Sequence, residues 1–282
     1  MVNHTKSKNG TLPNLVIIGA MKCGTSILHY YLDHHPEIRM SAEKELDFFV
    51  LEKNWKKGDR WYESNFDGQA KICGEASPNY TSYPTFQGVA QRMRGLIPDA
   101  KLIYILRDPI DRIVSHYSHV VKNGREKRGL VEALENLEQN PYVERSRYHL
   151  QLEQYLRHYP LERILIVTQE DLYHERRQTL ERIFRFLGVD PAFQDKEFEV
   201  VKPSTRPFET SILKTIRMTR LHTLFPRRIR WKVRDLILAP LSWKMEHPPL
   251  DESLRVRLAH YLKEDVTRLR QVTGCDFKNW SI

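Results

Sequence analysis

The sequence predicts an α/β protein with a P-loop-like three-layer fold, a central, mainly parallel sheet flanked by helices. Three observations predict it. LVIIG at 15–19 and KLIYIL at 101–106 are continuous apolar runs of strand length, as in strands buried on both faces. Each run ends in a short loop that opens at once into a helical pattern. Strands and helices then alternate along the chain, the order of a parallel sheet whose ligand loops lie at the strands' carboxyl ends.

The elements follow in order. After the 15–19 strand, Thr25 and Ser26 open a helix with Ile27, Leu28, Tyr31 and Leu32 on one face, stopped near His35-Pro36. The run Glu37–Phe49 contains SAEKELDFF and receives no regular element. A short strand is expected at Lys71–Cys73, ahead of GEASPNY, where Pro78 forbids simple continuation as a central strand. Pro84 suits the first turn of a helix running to about Leu96. KLIYIL ends in Arg107-Asp108-Pro109, and a helix follows with Ile110, Ile113, Val114 and Tyr117 on one face. Helices are expected at Val131–Gln139 and Ser146–His158, a strand at 164–167 (ILIV), then a helix with Leu180, Ile183, Phe184 and Leu187 stopped by Gly188. Leu254, Leu258, Tyr261, Leu262 and Leu269 mark a closing helix.

Length and composition suit one domain over 1–282, with 1–13 as a flexible N-terminus and 199–250 as a lid carrying a basic segment. The formal net charge of +9 favours an anionic ligand, acceptor or surface. Cys23, Cys73 and Cys275 are too few and too scattered for a disulfide framework or a zinc site. MVNHTKSKNGTLPN lacks the apolar stretch of a signal peptide, and no segment has the ~20 apolar residues of a membrane span. The expected compartment is therefore the cytoplasm. Asn3-His4-Thr5 and Asn79-Tyr80-Thr81 match the glycosylation sequon and are read as chance matches.

The loop in LVIIGAMKCGTS has the form of a phosphate cradle: a strand end, glycines that let N–H groups turn inward, and a helix N-terminus. In the nucleotide-triphosphate loop GxxxxGK[ST] the lysine follows the second glycine, whereas here Thr25 follows Gly24 and Lys22 lies inside the loop. That displacement points away from an ATPase. A second anion site is expected at Arg107, with Ser115 two helical turns on: a guanidinium holds a phosphate monoester bidentately and a hydroxyl adds a bond. The ligand would carry two separated phosphates. Spacing alone equally allows Arg107 a local salt bridge.

GAMKCGTS and LRDPIDRIVSHY, with KELDFF between them, resemble the sulfotransferases that use 3′-phosphoadenosine 5′-phosphosulfate, especially the branch of bacterial and heparan sulfate enzymes. The similarity runs on through SRYHLQLEQYLRHYP, QEDL and the closing LAHYLKEDVTRLRQVTGCDFKNW, covering nearly the whole chain in order. The resemblance implies that Lys22, Cys23, Gly24, Thr25 and Ser26 form the phosphosulfate loop, with Lys22 near the oxygen bridging phosphorus and sulfur. It implies that Arg107 and Ser115 hold the 3′-phosphate, and that Lys202, Ser204 and Arg206 belong to a loop closing over the nucleotide. Tyr148 matches a recurrent tyrosine near the site. In the family's K-E-x-H-F-F pattern the glutamate removes the acceptor's proton, which puts Glu45 in that role; spacing does not separate it from Glu43. A carboxylate of pKa ~4.3 is a weak base toward an alcohol, so proton removal accompanies attack.

The implied reaction is in-line transfer of the sulfuryl group to a hydroxyl, less readily an amine, of a carbohydrate, lipid or small metabolite. Adenosine 3′,5′-bisphosphate leaves, and the scheme requires no metal. Two positions depart from the family: Asp47 stands where many relatives have histidine, and Ala76 where heparan sulfate enzymes have lysine. They leave a catalytically inactive relative in view. Thr210–Arg234 contains no acidic residue and many basic ones interleaved with apolar ones, a pattern for a lid, an anionic acceptor, a membrane surface or a solvated face. A P-loop kinase is the rival enzyme, but it wants the post-glycine lysine and magnesium partners. A nucleic-acid-binding protein would account for the charge but not for the ordered loops.

Overall fold

The computed structural model describes residues 11–199 and 248–282. Five parallel strands form one sheet: β1 (Leu15–Gly19), β2 (Ile38–Met40), β3 (Ile72–Ala76), β4 (Lys101–Leu106) and β5 (Ile164–Thr168), in the order β2-β3-β1-β4-β5. Alternate side chains of the central strands go to opposite layers, as a strand's two-residue period requires. Val16, Ile18, Leu102, Tyr104 and Leu106 enter one core with α3 (Val89–Leu96), α7 (Tyr148–Leu156) and the closing helix α10 (Glu252–Thr273). Leu15, Ile17, Ile103 and Ile105 enter the other with α1 (Thr25–His34) and α9 (Arg176–Leu187). All nine strand residues are fully buried. A third cluster joins α4 (Pro109–Lys122) to α10.

The strand order places the chain's reversal at β1. From β1 the chain crosses to the edge strand β2, comes back to β3 between the two, and then passes to the other side of β1 with β4. In an open parallel sheet the crevice at such a reversal, at the carboxyl ends, is where ligands bind. Both expected anion loops, after β1 and after β4, open there.

Several elements differ from expectation for local reasons. β3 runs on through Glu75 and Ala76 before Pro78 ends it, β2 occupies part of the stretch given no element, and a short helix α2 (Asp59–Glu63) lies between the two strands in the chain. The helix before β4 starts at Val89, not Pro84, because Gly88 in the left-handed region (φ 67°) breaks the chain ahead of it. The helix expected at 131–139 is only α5 (Leu130–Ala133). There the Asn140 side chain takes the carbonyls of Ala133 and Asn136 and the Asn136 side chain takes the Glu138 N–H, displacing helix bonds. The helix expected at 146–158 is α7, preceded by a separate short helix α6 (Pro141–Glu144), and α8 (Gln169–His174) follows β5 directly.

Candidate active site

The loop after β1 is built by close approach. A Cβ at Gly19 would lie 2.0 Å from Thr81 Oγ1, and Gly24, at φ 96°, adopts a backbone that L side chains rarely take. Lys22 itself is left-handed (φ 72°), a conformation a non-glycine residue keeps only where its surroundings hold it. The Ala20 N–H bonds Ile105 O at 2.7 Å, tying the loop to β4. α1 then begins at Thr25 with Gly24 as its cap residue, no side-chain cap and no acidic residue in its first turn. Gly24 thus caps none of the leading N–H groups, and the positive end of the helix dipole favours an anion there.

After β4 the arrangement is different. Asp108 caps α4, accepting from the N–H groups of Ile110 and Asp111 at 2.9 and 3.0 Å. The Asp108 N–H bonds Glu170 Oε1 at 3.0 Å. Arg107 makes the local ion pair that spacing allowed, but with Asp111 (3.2 Å, one helical turn on), and Asp111 is half exposed. A pair so open leaves the guanidinium available to a stronger anion. Ser115 lies on the same helix with its residue 2% exposed, far more enclosed than Arg107.

Tyr148 joins the two loops. Its hydroxyl donates to Arg107 O at 2.9 Å and meets Cys23 Sγ at 3.5 Å, fully buried. The sequence left its role open; it is a brace between the loop after β1 and the loop after β4. Cys23 is a packed thiol, pushed up to about 11 chiefly by burial, and so is not a thiolate near neutral pH.

Positive charge collects around these loops. Arg112 is wholly buried, its guanidinium bonded to Ser146 Oγ and Tyr142 O, with no partner for Nη1 among the described residues. Arg145 reaches Met21 Sδ at 3.4 Å with its buried Nε unpartnered. Burial first, then the charges of Arg112, Arg145, His119 and Lys22, holds His116 well below the usual histidine range, so it is neutral. Sequence reasoning missed Arg112 and Arg145; the one available signal was an arginine beside the apolar face of IDRIVSHY.

Glu45 stands at the carboxyl edge of β3, where its N–H bonds Ala76 O at 2.9 Å. It is left-handed (φ 65°), as is Asp47 (φ 47°), and its carboxylate pairs with Lys44 Nζ at 2.9 Å. Glu43 has its backbone carbonyl engaged by Ser41 Oγ. Asp47 is held by Asn79 Nδ2 at 2.9 and 3.1 Å and by Lys53, and burial raises its pKa. Ala76 is fully buried in the core layer. Lys202, Ser204 and Arg206 and the basic segment 210–234 lie outside the described residues. Among the described residues no cluster of three metal-ligating side chains occurs, and no helix is long and apolar enough to cross a membrane.

Residues 12–227 match the sulfotransferase domain family. The chain belongs to that family. It is 28% identical over 281 residues to human heparan sulfate glucosamine 3-O-sulfotransferase 3B1, an alignment covering 94% of this chain and 64% of that protein. The chain therefore spans somewhat under two thirds of that relative's length. A shorter match, 39% over 111 residues, links 38% of the chain to 22% of the membrane-associated sulfotransferase kil1 of Dictyostelium discoideum. Among solved structures, a sulfotransferase from Alicyclobacillus acidocaldarius superposes with a TM-score of 0.69 at 25% identity, covering 96% of this chain and all of that one. The parallel sheet is thus the sulfotransferase fold.

Proposed function

We propose that this sulfotransferase-family chain transfers the sulfuryl group of 3′-phosphoadenosine 5′-phosphosulfate to a hydroxyl of its acceptor. The observation that carries the reading is the pair of anion sites on one crevice, a bare helix N-terminus with Lys22 and a half-open Arg107, braced by Tyr148. That pair suits a nucleotide with phosphate groups at both ends of its ribose better than a linear triphosphate. The unpartnered guanidinium atoms of Arg112 and Arg145 add positive potential that an anionic ligand would offset.

The nucleotide supplies an activated sulfuryl group. Lys22 and the first N–H groups of α1 stabilise the charge that grows on the bridging oxygen as its bond to sulfur breaks. Glu45 accepts the acceptor's proton as the new S–O bond forms. Its anchorage on Ala76 O, at the strand edge facing the crevice, supports Glu45 over Glu43. Arg107 and Ser115 hold the 3′-phosphate, with Lys202, Ser204 and Arg206 as the closing loop. The similarity to a heparan sulfate glucosamine 3-O-sulfotransferase makes a carbohydrate hydroxyl the first acceptor class to screen. Ala76, buried where heparan sulfate enzymes have a lysine, argues for an acceptor other than heparan sulfate.

Calorimetric titration with adenosine 3′,5′-bisphosphate, AMP and ATP tests the reading. The expected result is tight binding that requires the 3′-phosphate and is weakened in Arg107→Ala. Preference for ATP with magnesium would overturn it in favour of a P-loop kinase.

A further inference from the structure

Glu75 is the one charged residue of β3, fully buried, and the reaction described above gives it no task. Its carboxylate accepts three hydrogen bonds: Tyr62 OH and Tyr80 OH to Oε1, both at 2.7 Å, and Ser77 Oγ to Oε2 at 2.6 Å. A hydroxyl has a single hydrogen, so one that donates to Glu75 turns its lone pairs the other way. Two of the three hydroxyls use those lone pairs on the same short segment. Ser77 Oγ accepts from the Asp47 N–H at 3.0 Å, and Tyr80 OH accepts from the Phe48 N–H at 3.0 Å, with Phe49 N at 3.5 Å. That segment holds Glu45 and Asp47, both left-handed, and such backbone persists only where contacts over-determine it.

We propose that Glu75 is a positioning residue: through Ser77 and Tyr80 it fixes the backbone of residues 45–49 and so aims Glu45 at the reacting hydroxyl. This rests on the reading of Glu45 as the base, and Glu75 itself touches neither nucleotide nor acceptor. A neutral side chain of the same shape cannot do the same. In Glu75→Gln the amide nitrogen donates, so a hydroxyl facing it can no longer point its hydrogen at residue 75 and loses the bond that keeps its lone pair turned toward the Asp47 or Phe48 N–H.

Burial, the largest influence, pushes Glu75 up to about 7. The groups facing it are Asp47, itself raised by burial, and Tyr62, Tyr80 and Tyr155, all raised well above the usual tyrosine range and so uncharged. Above about pH 7 Glu75 is ionised and accepts all three bonds. Below it the protonated carboxyl must donate to one of them, and the hold on residues 45–49 loosens.

Hydrogen–deuterium exchange on the full chain, saturated with adenosine 3′,5′-bisphosphate, reads this directly. In Glu75→Gln the amides of residues 45–49 should lose protection about tenfold or more, with β1 and β4 unchanged and nucleotide affinity within twofold. Wild-type protection of the same amides should fall as pH drops through about 7, and Glu75→Gln should lack that step. If Glu75→Gln does not fold, Ser77→Ala cuts one arm of the relay and should deprotect Asp47 preferentially. Unchanged protection at 45–49 in whichever variant folds, or a uniform loss across the sheet, overturns the proposal.

Turnover of phosphosulfate with water as acceptor separates the two readings. Glu75→Gln should slow it in the wild-type background and add nothing in Glu45→Gln, since a residue acting only through another is non-additive with it. A further loss in the Glu45→Gln background overturns the positioning role. Full turnover in Glu45→Gln sinks Glu45 as base, while the exchange result still decides whether Glu75 holds the segment.

Discussion

The two helices that open onto the crevice begin in opposite ways. α1 starts without a cap of its own: its cap residue is Gly24, which has no side chain to satisfy the first N–H groups. α4 starts closed, with Asp108 already bonded to two of its N–H groups and carrying negative charge where an anion would otherwise sit. An anion at α1 can therefore be held by backbone and dipole, with Lys22 as the added charge. An anion beside α4 must be held by side chains, and Arg107 is the partly buried cation placed to do it. One site is a property of the chain's path and the other of particular residues, so the two should fail differently under substitution.

The largest effect is expected at Lys22. Since the loop's N–H groups still bind the phosphate, Lys22→Ala should leave affinity for adenosine 3′,5′-bisphosphate within about tenfold while turnover falls roughly 10²–10³-fold, the usual cost of losing a group aimed at developing charge. Binding calorimetry beside single-turnover transfer distinguishes these. An affinity loss as large as the rate loss would break the contrast, because it would make the first site as dependent on a side chain as the second.

Arg107→Ala should act on binding instead. Charge-assisted hydrogen bonds contribute about 1.5–3 kcal/mol, so affinity for the 3′,5′-bisphosphate should fall roughly 10–100-fold. AMP, which lacks the 3′ group, should bind as to wild type. Equal losses for both nucleotides would mean that Arg107 serves the loop rather than the 3′-phosphate.

How much of this could be read in the sequence follows the same division. The path was legible: LVIIG and KLIYIL are apolar for their whole length because both faces are buried, and β1 and β4 occupy the residues those runs name. The loop after β1 was legible because glycines and a displaced lysine leave a mark on the string. Side-chain networks left none. Tyr148 bridges to Cys23 and to Arg107, residues distant from it in the chain, and a lone glutamate in ICGEA gives no sign that Tyr62, Ser77 and Tyr80 converge on it. Helix limits were missed where polar side chains competed for the backbone, as Asn136 and Asn140 do after α5.

The smallest effect, and the sharpest test of the capped end, is at Asp108. Its Oδ1 serves the two N–H groups of α4, while its Oδ2 accepts from the Ser281 N–H at 2.5 Å, pinning the chain's last residues beside the site. Asp108→Ala removes both functions and should cost about 1–2 kcal/mol, a loss of a few degrees in Tm for a chain of this size. Asp108→Asn keeps an oxygen for the cap but faces Ser281 with an amide donor, so it should retain most of the stability and release the C-terminal residues to faster amide exchange. It also removes a negative charge beside Arg107, so the 3′,5′-bisphosphate should bind as tightly as to wild type or a few-fold tighter. Weaker binding in Asp108→Asn would mean that the carboxylate helps to build the second site, and the two helix ends would then differ less in kind than in which atoms occupy them.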